Sequence, residues 1–316
     1  MKRLYHIFFS FIFLCAPLYA QVTKSGDIEG ETWTADDSLY IITGDIKVID
    51  LTIEPGVIIQ FEDDYKFEVD GTLRADGFHS DSIYFQPHPD NSNGWEGIKF
   101  KNSSTASSLK YCRIEGSNKH GINIDQVQPE ISNCLIIGSE ESGIFLKSTT
   151  LQLQHCIIKM NTQSGIETDD SQVTVVNSII SENGISGILS TSNNDIINVT
   201  NVVIADNQDR GIDCPGGSLT VKNSIIYYNT VQIDAQDGNT NVTYSDIQGG
   251  TIFPGLGNIN DIPDFLERRF YTLSPESPRS ACIDAGDPNF SYTDWFFPPS
   301  LGTSRNDMGA YGGPQA

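Results

Sequence analysis

GIFLKSTTLQLQHCIIKMNTQS, residues 143–164, is built from three short runs of period two. Ile144 and Leu146 alternate with Phe145 and Lys147, Leu151 and Leu153 with Gln152 and Gln154, and Cys156 and Ile158 with Ile157 and Lys159. Period two is the signature of a strand. Three strands within 22 residues leave no room for a helix. The unit recurs on both sides. Gly-Ile stands at Gly97, Gly121, Gly143, Gly165, Gly187 and Gly211, in steps of 24, 22, 22, 22 and 24 residues. A column of small residues keeps the same beat at Cys112, Cys134, Cys156, Ser178, Val202 and Ser224. Both columns absorb one two-residue insertion between Gly187 and Gly211, so they belong to one repeating unit. A fixed period of this length means a stacked array, and three strands per unit make it a parallel β-helix with coils about 4.8 Å apart.

The inward columns follow from the beat. Ile122, Ile144, Ile166, Ile188 and Ile212 form one; Ile114, Ile136, Ile158, Ile180, Ile204 and Ile226 form another. Stacking buries them in a continuous core that no single coil could build alone. Two asparagine columns mark corners. Asn133, Asn177, Asn201 and Asn223 precede the small residue, with His155 breaking the series, and Asn161, Asn183, Asn207 and Asn229 follow it by five. Stacked amides can bond along the pile, and asparagine tolerates left-handed corners.

Outside the repeat the chain divides further. Residues 1–20 have the pattern of a signal peptide: Lys2 and Arg3, the apolar run from Ile7 to Leu18, and Ala20 before the cut. That run is too short to span a bilayer comfortably. Residues 21–96 alternate less regularly and read as an N-terminal cover with about three degenerate coils. Residues 97–250 are the regular coils. Residues 251–316, rich in proline, glycine and aromatics, read as a C-terminal cap. The fold class is therefore all-β, a single-stranded parallel β-helix with a cover at one end and a cap at the other.

The chain carries 19 basic and 41 acidic residues, a net charge of −22 that becomes −24 when Lys2 and Arg3 leave with the signal. Such a surface repels nucleic acid and anionic membranes and associates readily with divalent cations. A secreted, extracellular or cell-surface monomer is expected. The mature chain keeps five cysteines: Cys112, Cys134, Cys156, Cys214 and Cys282. Three share a column with Ser and Val, which marks them as small buried filler; one bridge between adjacent coils is the alternative.

The repeat GIETDDSQVTVVNSIISENGIS, the upstream phrases LTIEPGVIIQF, VDGTLRADG and GWEGIKF, and the closing phrases SPRSACIDAGDP and RNDMGAYGGP resemble secreted bacterial right-handed parallel β-helix repeat proteins of the pectin-lyase-like superfamily. The resemblance covers nearly all of the mature chain. It implies the fold and a polysaccharide or cell-surface component as partner. It does not imply one activity, because the superfamily holds lyases, hydrolases, epimerases and chains without a known reaction. The aspartate, glycine and histidine motifs of polygalacturonases are missing, and so is a pectate-lyase arginine signature.

Candidate sites fall on the outward side of the strands after each glycine. Asp125, Lys147 and Asp169 stack with a lysine between two carboxylates, and Phe145, Glu167 and Asp213 share the neighbouring positions. Asp125 and Phe145 are candidate ligand contacts. A lyase would use the carboxylates to hold calcium or a uronate, and Lys147 or Arg210 as base. Flanking carboxylates favour the ammonium form of Lys147, the wrong state for that task. A hydrolase would use Glu167 as acid with Asp169 or Asp213 as base. In the cap, Asp284, Asp287 and Asp307 could bind calcium or pair with Arg305. A second outward column, Leu135, Ile157, Ile179, Val203 and Ile225, is wholly aliphatic: an exposed interaction stripe, a surface covered by the C-terminal segment, or one turned inward. The columns are clear and a compact constellation is weak. The reading is a glycan-associated binding or structural scaffold, with a polysaccharide lyase or glycoside hydrolase as its rival.

Overall fold

The computed structural model describes residues 21–102, 106–235, 239–276 and 279–316; the expected signal peptide lies outside the described residues. The chain winds as a parallel β-solenoid of about ten coils with three long ladders. The first face contains Ile122–Asp125, Ile144–Lys147, Ile166–Asp169, Ile188–Ser190 and Arg210–Asp213. The second contains Glu130–Ser132, Thr150–Gln154, Gln172–Val176, Ile196–Thr200 and Ser218–Lys222. The third contains Leu135–Ile137, Ile157–Lys159, Ile179–Ser181, Val203–Ala205 and Ile225–Tyr227. Each strand pairs in parallel with its equivalent one coil on, as in Ile144↔Ile166, Leu151↔Val173 and Ile158↔Ile180. The isoleucine columns lie fully inside. Pairing begins at Val22, and the strand Tyr40–Ile53 runs through one whole coil. There the core is aromatic: Trp33 stacks on Tyr40 at 4.8 Å and Phe61 on Trp95 at 4.0 Å. Upstream the step between paired residues varies, from 21 for Ile46↔Phe67 to 31 for Phe67↔Ile98, because turns of different length join the strands, and the 22-residue beat is lost.

Corners explain the polar columns. Asn133, His155, Asn177, Asn201 and Asn223 all have φ between 44° and 56°, the left-handed region that asparagine tolerates best. The two asparagine columns do different work. In the second, the Asn161 amide donates to Asn183 Oδ1, Asn183 to Asn207 and Asn207 to Asn229, each at 2.9 Å and buried. The first column does not stack on itself. Asn177 Nδ2 donates to the carbonyls of Ala310 and Gly312 at 3.1 and 2.7 Å, and Asn201 Nδ2 donates to that of Asp307 at 3.0 Å. Asn223 Oδ1 accepts from the Asp287 amide at 2.8 Å. Those corners therefore hold the cap.

The repeat glycine is fixed by this packing. A Cβ on Gly165 would lie 2.6 Å from Ile180 Cγ2 and 2.9 Å from Asn183 Nδ2, closer than real contacts allow. The two-residue insertion is filled by buried Asp195, which accepts from the Ser171 amide, Thr168 Oγ1 and Ser190 Oγ at 2.7, 2.9 and 2.7 Å.

Residues beyond Ser245 fold back over the third face. Ile179, Val203 and Ile225 are buried against Tyr271, Leu273, Cys282, Ile283, Met308 and Ala310. Leu135 and Ile157, beyond most of the cap, remain half-buried. Of the three readings of the aliphatic column, coverage by the C-terminal segment is the one realised. Gly309 permits it: a Cβ there would stand 2.9 Å from Ile225 Cδ1. All five cysteines are buried and free, so the alternative of one bridge is not realised. Among the described residues no helix is long and apolar enough to cross a membrane.

Candidate functional site

On the first face the register aligns the residues singled out from sequence. Lys147 pairs with Asp125 on one side and Asp169 on the other. Phe145 lies between Asn123 and Glu167, and Glu167 is followed by Leu189 and then Asp213. Glu167 and Asp213 are therefore two coils apart, roughly 10 Å by strand spacing. Lys147 is exposed. Glu167 Oε2 accepts from Ser142 Oγ at 2.7 Å, a bond from the corner of the preceding coil.

That corner adds residues the strand pattern did not mark. His120 stacks on Phe145 at 4.8 Å, with the rings 16° apart. Its Nε2 lies 3.0 Å from Glu141 Oε2. Burial holds the imidazole below its usual range, against the opposing pull of Glu141 and then Glu167. Beside it, Lys119 Nζ is 2.7 Å from Glu96 Oε1. Lys66, Lys99, Lys119, His120 and Asn123, with the carboxylates of Glu68, Glu96 and Glu141, line a groove of about 350 Å³. The signal in the sequence is the pair of positions before each repeat glycine, Lys119-His120 and Glu141-Ser142. Strand columns skip them because they lie on corners.

The structure does not gather the remaining candidates there. Arg210 belongs to a separate cluster: Nε is 3.1 Å from Asp234 Oδ2 and 3.6 Å from Asp213 Oδ2, and Nη1 binds Asp209. The Asp234 bond raises the guanidinium above its usual range, which disfavours the neutral form that the base of an elimination needs. Burial raises Asp213, opposed by Arg210. In the cap, Asp284 accepts from Arg279 at 2.6 Å and from the Thr303 amide at 2.7 Å, and Asp287 accepts from Lys222 at 3.0 Å. Asp307 accepts from the amides of Asp284 and Leu301 at 2.8 and 2.7 Å. Arg305 does not pair with these carboxylates; it donates to the carbonyls of Gly286 and Ala285 at 3.0 and 3.3 Å. The three aspartates tie cap loops together by separate bonds. Among the described residues no group of three or more His, Cys, Asp or Glu side chains converges as a metal site.

Fold and face together define a β-helix protein whose first face is open and charged. A family model described as a right handed beta helix region matches residues 92–248, the regular coils with their immediate approach. The architecture is thus a right-handed parallel β-helix. Searches of curated proteins and of solved structures returned no match.

Proposed function

We propose that the chain is a secreted β-helix scaffold that binds acidic glycans along its first face. The observation that carries this reading is the groove at His120. It brings Lys66, Lys99 and Lys119 together among Glu68, Glu96 and Glu141, a charge-balanced stretch on a chain of charge −22, next to the outward column of Phe145 and Glu167. Three ammonium groups offset the three carboxylates there, so a carboxylate-bearing sugar meets cationic donors at a locally neutral break in an acidic surface, with exposed Lys99 foremost. Secretion rests on the pattern of residues 1–20. Binding is favoured over catalysis because Glu167 is tied to Ser142 and Asp213 lies beside Arg210. In the enzyme reading Glu167 would have to act while accepting from Ser142, and Asp213 while paired with Arg210.

Retention on immobilised polygalacturonate tests the proposal. Lys99→Glu with Lys119→Glu should weaken it by about tenfold and remove its salt dependence. Unchanged retention would overturn the reading. A second reading rests on His120, whose ring is buried, oriented by Glu141 and open to the groove. A base held in its neutral form could take the proton α to a uronate carboxylate. Ultraviolet absorbance of an unsaturated product, present in the wild type and lost in His120→Gln, would support elimination. Silence in the wild type leaves binding as the function.

A further inference from the structure

The second face differs from both others. Its central outward column is Gln152, Thr174, Asn198, Thr220 and Asn241, in register from coil to coil. All five are exposed or half-exposed. The column two residues earlier on each strand is likewise without a charge. In the same coils the first face carries Lys147, Glu167, Asp169, Asp213 and Asp234. From Gln152 onward charge is kept off this strip, on a protein with 41 acidic residues; one coil earlier the same column holds Glu130, paired with Lys110 at 2.8 Å. Exclusion of charge is a compositional mark of an interface core.

The margin of the strip is also built. Lys222, the last residue of its strand, bonds Asp287 at 3.0 Å and lies 4.6 Å over the ring of Tyr292. The turn Phe290–Tyr292 is thereby pinned beside the strip, with Asn289 Oδ1 capping it through the Ser291 amide at 3.0 Å. Phe290 in that turn is 83% exposed. An exposed ring held on a fixed turn has an apolar face to offer.

We propose that the second face docks an uncharged, hydroxyl-rich polymer, an ordered neutral glucan in chemical class. Amide and hydroxyl side chains each offer both donor and acceptor, which suits sugar hydroxyls. The spacing between coils, about 4.8 Å, repeats along the strip, so the surface fits a repeating ligand. Many weak contacts on a rigid lattice add up because only the first must meet the cost of association. A polyanion finds no cation in this column to pair with, and a polycation would be drawn to the acidic faces. This site is separate from the first-face groove and does not depend on it.

The test is co-sedimentation of the mature chain with microcrystalline cellulose and with curdlan, at low and at molar salt. Retention is expected at both salt levels, since no ion pair is involved. The triple variant Thr174→Glu, Asn198→Glu, Thr220→Glu should lose about tenfold or more by placing unpaired charge in the interface, and Phe290→Ala should lose less. Lys99→Glu with Lys119→Glu should leave this retention unchanged while lowering that on polygalacturonate, which separates failure of this proposal from failure of the first-face reading. Competition needs no variant: soluble neutral gluco-oligosaccharides should release the wild-type protein and oligogalacturonate should not. No retention on either polymer, release by oligogalacturonate alone, or full retention by a folded triple variant would each overturn the proposal.

Discussion

Glu167, Leu189 and Asp213 on the first face, and Ile179, Val203 and Ile225 on the third, stack in the same part of the solenoid over the same isoleucine core. The first column is left open, while the third is sealed beneath residues drawn from 271–310. Backbone register is the same in kind on both, so the strands do not choose what happens outside them. The outward side chains do. An aliphatic column recruits a cap, and a polar column stays available to a ligand.

Charge placed in each column should break this contrast most strongly. Val203→Asp would bury an unpaired carboxylate under Met308 and Ala310, at a cost of more than about 3 kcal/mol. The expected result is a released cap, seen as rapid protease cleavage within residues 251–316. Leu189→Asp on the first face, set directly between Glu167 and Asp213, should cost about 1–2 kcal/mol through like-charge repulsion, less than the buried charge on the third. Equal effects in melting experiments would mean that the third face is not sealed. Next in size is the core shared by both faces. Ile166→Ala should cost about 2–5 kcal/mol in denaturant unfolding. That loss should appear in the coils and leave the cap no looser than in the wild type at low denaturant.

Most of this molecule was legible because stacking makes each coil repeat the same physical problem. Ile144, Ile166 and Ile188 occupy one inward place, and the sequence states the answer three times over. The left-handed corners at Asn177 and Asn201 were legible for the same reason. Their partners were not, since the carbonyls of Asp307, Ala310 and Gly312 come from a segment more than a hundred residues away that does not repeat. Coverage of Ile179, Val203 and Ile225 stood only as one of three readings for that reason. The His120 groove escaped strand logic because Glu141 and Lys119 sit on corners, where side chains from adjacent coils meet without a period-two pattern. The aspartates of the cap looked like a cation site by composition. Their actual donors are backbone amides of Leu301, Thr303 and Asn289 and the side chains of Arg279 and Lys222, none of which spacing could identify.

Proton linkage sharpens the difference between cap and coils. Burial pushes Asp246 and Asp294 up to about 7 and Asp307 up to about 6. All three lie where the cap closes on the solenoid or on itself; Asp246 accepts from Cys282 Sγ at 3.2 Å, and Asp294 accepts from the Asp307 amide at 3.0 Å. Their folded values stand above the ordinary carboxylate value near 4. Folding therefore favours their protonated forms, and the stabilisation is complete below about pH 4 and lost as pH rises through about 6 to 7. Asp284 and Asp287 are lowered, so their contribution falls only at more acid pH. Between these windows the cap should resist protease better near pH 5 than near pH 8, and Asp246→Asn should flatten much of that difference. A flat profile in the wild type would show that the carboxylates are ionised throughout.

The smallest effect belongs to the open face. Lys147→Ala removes an exposed side chain set between Asp125 and Asp169, and exposed charge pairs contribute about 0–1 kcal/mol. Melting should therefore move little, and the movement should fade in molar salt. If Lys147 contacts an acidic glycan, the same substitution should weaken retention on polygalacturonate more than it changes stability. That disproportion is what separates a face kept open for a ligand from one that is merely solvated. A loss of stability as large as that of Ile166→Ala would instead make Lys147 a structural tie between coils, and the contrast between an open first face and a sealed third would fail at its centre.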